Sequence, residues 1–202
     1  MEEAFYGEKL ATVRPDIVLG CGDLPFDYLE YLVSMLDVPL VYVPGNHDPS
    51  LKLPDTTWTP SRHEPPVPGP QGCVNIDGRV TEASGLRIAG LGGSLRYKEG
   101  PNQYTQGEMG RRILRLEVAL RLKRARGGRK LDVLVTHSPP FGAAEAQDAA
   151  HIGFVGFLRL IRAFKPALAV HGHVHPYGRV IPERLIGTTR VVNVVPWSLI
   201  DL

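Results

Sequence analysis

Cysteine is scarce in this 202-residue chain: Cys21 and Cys73 are the only two, far apart in sequence and set among apolar or glycine-rich neighbours. That excludes a disulfide-stapled secreted scaffold and a four-cysteine zinc site, and reads as reduced thiols in a cytosolic protein. A surplus of charge of one sign is also missing, since 23 basic residues stand against 21 acidic ones. No global field therefore marks the chain for nucleic acid or an anionic membrane. No stretch approaches the roughly 18 consecutive apolar residues of a membrane helix, and Met1–Leu10 has neither the basic start nor the apolar run of a secretory leader. A cytoplasmic protein forming a single domain over residues 1–202 is expected. Against these absences stand seven histidines, five of them in three short segments: His47, His137, and the group His171, His173 and His175.

Hydrophobic period and punctuation predict a helix from Glu2 to Val13, a strand from Asp16 to Gly20, a helix from Phe26 to Leu36 and a strand from Leu40 to Val43. Such a βαβ unit makes the two strands parallel, so the turns at Asp23 and at Asn46-His47-Asp48 open on one edge. Residues 49–70 hold seven of the eighteen prolines and read as an irregular loop. Short strands are predicted at Cys73–Ile76, Val80–Ala83 and Leu86–Leu91, with Asp77-Gly78 as a hairpin turn. Thr105 and Glu108, at capping-box spacing, open a helix that runs to about Arg126 and stops at Gly127-Gly128. A buried strand at Leu131–Val135, an apolar helix around Ile152–Phe164, and strands at Ala167–Val170, Arg179–Pro182 and Thr189–Val195 follow.

Each short polar motif ends an apolar strand. Asp23 follows IVLGCG, Asn46-His47-Asp48 follows LVYVPG, His137 follows DVLVT, and His171-Gly-His173-Val-His175 follows ALAV. Strand ends on one edge of an α/β sheet are where ligands sit, so four such segments place their polar groups around one point. Imidazole and carboxylate together suit transition metals such as zinc, manganese, iron or nickel, whereas calcium takes oxygen alone. Taken singly, Gly-Asp after a strand reads as a turn or helix cap and a lone His137 as a structural residue. In an extended segment, alternation points His173 and His175 the same way, as two metal ligands require.

With GD at 22 and 23, GNHD at 45 to 48, His137 and GHVH at 172 to 175, the chain resembles the calcineurin-like metallophosphoesterases across nearly its whole length. The resemblance implies a four-layer α/β/β/α sandwich and a dinuclear site. Asp23 is then the bridging ligand, Asn46, His137 and His173 complete one metal site, and His175 belongs to the other. His47 faces the phosphoryl group as proton donor or stabiliser, oriented by Asp48, and His171 is structural or supports the ligands. The family's first strand, ending in Asp-x-His, has no counterpart in these residues, so the chain is expected to lack that strand and two ligands of the second metal. Glu2 and Glu3 read as solvated helix-start acids rather than substitutes. The implied activity is hydrolysis of a phosphoester, a diester or nucleotide more than a protein phosphate, by metal-bound hydroxide with one or two divalent ions (Mn, Fe, Zn or Ni). The alternative is a binding or regulatory module on the same fold with a degenerate site.

A Gly/Pro-rich loop with Arg96, Tyr97, Lys98, Asn102 and Tyr104 offers cationic and hydrogen-bonding groups, and Arg96, Tyr97 and Asn102 are the candidate binders of a small phosphorylated substrate. Nine of the twenty residues from Arg111 to Lys130 are basic. Without interleaved aromatics they read as a solvated helix face, and neither nucleic acid nor a membrane is expected as a partner. That helix also carries two apolar stripes, Met109/Ile113/Leu116/Leu120 and Leu114/Val118/Leu122, which a second layer of the same domain or a homodimer could cover.

Overall fold

A computed structural model describes residues 12–51, 69–125, 127–128, 130–143, 151–176, 178 and 181–202. The predicted helix at Glu2–Val13, apart from its last two residues, and most of the proline-rich loop lie outside them, as do Glu2, Glu3 and His63. Three parallel strands, β1 (Val18–Gly20), β2 (Leu40–Tyr42) and β3 (Cys73–Asn75), form a small sheet in the order β1-β2-β3. Helix α1 (Phe26–Leu36) makes the crossover from β1 to β2, as the βαβ pattern predicts. The larger sheet has β4 (Val80–Ala83), β5 (Leu86–Leu91), β8 (Val133–Thr136), β9 (Leu168–His171), β10 (Arg184–Ile186) and β11 (Thr189–Asn193) in the order β10-β11-β9-β8-β5-β4. Its four central strands are parallel and its two edge strands antiparallel. Two short strands, β6 (Ser94–Leu95) and β7 (Gln103–Tyr104), pair across the loop that carries Arg96 and Tyr97.

Alternation along the strands builds the layers. In β8, Val133 and Val135 join an apolar core that also holds Val41, Val43, Ile88 and Val170, between the two sheets. Leu134 points the other way, with Ala89 and Ala169, against α2 (Gln106–Ala125) and α3 (Val155–Phe164) through Met109, Ile113, Leu116, Phe157 and Leu160. On the far side of the small sheet, Leu29 and Leu32 of α1 pack on Leu40 and Tyr42. Successive strand residues face opposite sides, so a strand apolar at every position feeds two cores. The layers are helix, sheet, sheet, helices: an α/β/β/α sandwich.

Two readings of the sequence change. Asp77-Gly78 is not a hairpin turn: β3 pairs with β2 and β4 with β5, so the chain crosses between sheets there. The hairpin lies at Ser84-Gly85, where φ of 47° and 76° supplies the left-handed pair of a tight turn. Asp77 instead accepts from the Gly92 N–H at 2.6 Å and from Arg112 of α2, which ties the crossover to the helix layer. Of the strand expected at Arg179–Pro182, Arg179 and Val180 lie outside the described residues and Ile181 and Pro182 are not in a strand; the edge strand stands at Arg184–Ile186, where Gly187 turns it back onto β11. Helix α2 is capped as predicted: Glu108 N–H donates to Thr105 Oγ1 at 3.2 Å and Thr105 N–H to Glu108 Oε2 at 2.7 Å. One of its stripes is buried, whereas Leu114, Val118 and Leu122 face solvent, so among the described residues a single layer covers the helix.

Candidate metal centre

The carboxyl ends of β1, β2, β8 and β9 lie together, and the four motif segments leave from them. Asp23 comes from the turn after β1, with φ of 57°, and the preceding Gly22 has φ of 86°. A side chain on Gly22 would collide with the backbone of Gly45 and the ring of His137, so close packing as well as conformation demands glycine there. Asp48 joins the first two turns: its Oδ2 accepts from Asp23 N–H at 2.9 Å and from Gly45 N–H at 2.7 Å. Burial pushes its carboxyl above the ordinary range, opposed by those two donors. Asp23 Oδ1 in turn accepts from His47 N–H at 2.8 Å. The His47 ring is exposed and makes no hydrogen bond among the described residues, so Asp48 positions backbone rather than that imidazole.

His137 is fully buried at the end of β8. Its Nδ1 lies 2.7 Å from the carbonyl oxygen of Cys21. A carbonyl only accepts, so Nδ1 carries the proton and Nε2 of the neutral ring presents a bare lone pair. Burial, outweighing nearby Asp23, lowers its pKa and keeps it neutral. Around that lone pair stand Asn46 Oδ1 at 3.0 Å, His173 Nδ1 at 3.0 Å and Asp23 Oδ2 at 3.4 Å. Donor atoms of Asp23, His137 and His173 all lie within 4.8 Å of one another. An imidazole lone pair facing an amide oxygen and a carboxylate repels both unless a cation lies between them, so these residues fit a divalent metal. The Nδ1–H to carbonyl bond is the outer support that metal-binding histidines use.

The remaining sequence candidates are placed as follows. His173 has φ of 66° and is not in a strand, so the alternation expected for His173 and His175 does not operate. His175 is exposed and lies outside the three-residue donor cluster. His171 is buried; burial lowers its pKa to about 4, and its Nδ1–H donates to Gly172 O at 3.1 Å. Arg96 reaches Glu108 at 2.9 Å and the Gln103 carbonyl at 3.2 Å, so it braces the cap of α2. Asn102 donates to the carbonyls of Gly45 at 2.9 Å and Asp48 at 3.2 Å, lashing its loop to the Asn46 turn. Tyr97 Oη accepts from Asn46 Nδ2 at 3.2 Å. His151, for which spacing gave no signal, sets its ring 4.9 Å from that of His173. Beside the cluster, Asp23, Leu24, Pro25, Phe26, Asp27, His47, Asp48 and Pro49 line an open cleft of about 450 Å³.

Fold and site together define a layered α/β protein with a candidate metal-ligand cluster at the carboxyl ends of its strands. The chain belongs to the calcineurin-like phosphoesterases, whose family model matches residues 3–177. That family generally comprises metal-dependent phosphoester hydrolases. One solved crystal structure matches with a TM-score of 0.55 at 18% identity, covering 92% of this chain and 81% of its own. Another, of TT1561 from Thermus thermophilus, matches with a TM-score of 0.55 at 16% identity, covering 92% of this chain and 79% of its own. These two share the fold. No curated protein matches the chain. Among the described residues, no helix is long and apolar enough to cross a membrane.

Proposed function

We propose that this protein hydrolyses a phosphodiester or nucleotide with a divalent transition metal held by Asp23, Asn46, His137 and His173. One observation carries the reading: the Nε2 lone pair of His137, fixed by the Cys21 carbonyl, faces an amide oxygen, a carboxylate oxygen and a second imidazole nitrogen. When bound, such an ion supplies Lewis acidity that polarises a phosphoryl oxygen and lowers the pKa of water to about 7. The mixed nitrogen and oxygen donors suit manganese, iron, zinc or nickel. His175 is kept as a ligand candidate for a second ion.

The rest of the work falls to the chain's own residues. Asp48 holds the Asp23 and Asn46 turns in register. His47, exposed in the cleft, is the proton donor: as water oxygen bonds to phosphorus and the ester P–O bond breaks, the imidazolium proton goes to the leaving oxygen, and the proton shed by the attacking water restores the ring. Leu24, Pro25, Phe26 and Pro49 give the cleft an apolar wall for the leaving group of a small phosphorylated substrate. Arg96 and Asn102 serve that substrate by shaping the loop that borders it. The free thiols of Cys21 and Cys73 suit the reducing cytoplasm.

Turnover of bis(p-nitrophenyl) phosphate, measured with and without Mn²⁺ after chelation, tests the reading. Metal-stimulated release of nitrophenolate, lost in His137→Ala and slowed in His47→Ala, is expected. A protein that binds Mn²⁺ yet turns over neither the diester nor p-nitrophenyl phosphate is a binding module on this fold.

A further inference from the structure

Tyr97 stands on the β6–β7 loop with its ring half-exposed and Lys98 Nζ 5.4 Å from the ring centre. Among the described residues its hydroxyl makes one hydrogen bond, and in it the oxygen accepts from Asn46 Nδ2. A cation attracts lone pairs and repels N–H groups, so Asn46 must turn its amide oxygen toward the cluster and its NH₂ away. Tyr97 receives that NH₂ and sets the orientation of the ligand. A hydroxyl that accepts at its oxygen still has a hydrogen to give. Asn46 Nδ2, a donor, cannot take it, and no other described residue does. One amide group away from the metal-ligand cluster, the structure thus leaves an unused O–H donor.

We infer that Tyr97 performs two linked tasks at this site: it locks Asn46 in the ligand orientation and donates its O–H to a phosphoryl oxygen of the bound phosphoester. The inference rests on the phosphoesterase reading and names the group that receives the anion. Arg96, the more obvious anion binder on this loop, is held by Glu108 and the Gln103 carbonyl, and Asn102 by the carbonyls of Gly45 and Asp48. Of the three candidates on the loop, Tyr97 alone bonds to the side chain of a member of the ligand cluster, Asn46.

The test is Tyr97→Phe, which keeps the ring and removes the hydroxyl, compared with wild type in two titrations of the chelated protein. The first follows Mn²⁺ binding by calorimetry. The second follows inorganic phosphate as a competitive inhibitor of Mn²⁺-supported diester turnover. Loss of a hydrogen bond to a charged oxygen raises the phosphate inhibition constant about ten- to hundredfold. Release of the Asn46 amide weakens Mn²⁺ binding by about threefold or more. A far-ultraviolet circular dichroism melt matching wild type certifies the fold, and if it does not match, Tyr97→Trp, which also lacks the hydroxyl, replaces it. Unchanged Mn²⁺ affinity and unchanged phosphate inhibition overturn the inference while leaving the phosphoesterase reading intact. Absence of Mn²⁺ binding by the wild type overturns that reading, and the role of Tyr97 with it.

Discussion

His137 Nδ1 donates to the carbonyl of Cys21 at 2.7 Å, and that one bond decides which ring nitrogen faces the cluster. The carbonyl closes β1 and the imidazole closes β8, so the bond also joins the small sheet to the large one. Everything expected of the site depends on the Nε2 lone pair being unprotonated there.

Metal addition should therefore stabilise the fold. With free Mn²⁺ at about a hundred times its dissociation constant, mass action contributes about 2.7 kcal/mol, or roughly 5–11 °C in Tm for a chain of this size. Differential scanning fluorimetry of the chelated protein, with and without Mn²⁺, measures it. His137→Ala should abolish the shift, and a wild-type Tm unmoved by Mn²⁺ rules the site out.

Asp48→Ala strands the N–H groups of Asp23 and Gly45 that share its Oδ2. Each orphaned donor costs about 1–3 kcal/mol, offset in part because a carboxylate no longer has to be buried. A net loss of about 2–3 kcal/mol in urea unfolding is expected for the chelated protein. Asp48→Asn, which keeps an acceptor oxygen, should lose about half of that or less. Equal losses in the two variants would show that the shared acceptor is not what matters.

Gly110 lies inside α2, and a Cβ added there meets nothing within 4 Å. Gly110→Ala should gain about 0.5–1 kcal/mol from helix propensity alone, a rise of about 1–4 °C in Tm. Mn²⁺ affinity should not change. A fall in Tm would mean that this turn of the helix is constrained by something other than propensity.

Thr105→Ala removes the hydroxyl half of the capping box and should cost about 1 kcal/mol of stability. Arg96→Ala leaves the box itself in place and removes a partly exposed ion pair, so about 0.5 kcal/mol is expected. Because the guanidinium is engaged with Glu108, KM for the diester should move by less than about twofold. A tenfold rise in KM with unchanged stability would return Arg96 to the substrate.

The sequence carried the layers because apolar strands alternating with a helix leave few topologies, and β1-α1-β2 and the capped α2 are read directly from period and punctuation. Asp77-Gly78 misled because turn chemistry says where the chain bends and not which sheet the next strand joins; only pairing of β3 with β2 and β4 with β5 decides that. At the site, spacing brought Asp23, Asn46, His137 and His173 to one edge. It failed for His175, since the left-handed backbone at His173 breaks the extended geometry that alternation assumes. The work of the Cys21 carbonyl and the lashing of the Asn46 turn by Asn102 are contacts of a side chain with the backbone of a distant segment, and no residue pattern encodes them.

Asp23 and Asn46 leave the small sheet, while His137 and His173 leave the large one. An ion gripped by all four would act as a rivet through the sandwich, closing a ring of chain more than a hundred residues around. Prying the sheets apart and releasing the ion would then be the same event. Loss of metal would show first as breathing between two otherwise intact halves, with amides at the ends of β1 and β8 exchanging with solvent well before the helices loosen.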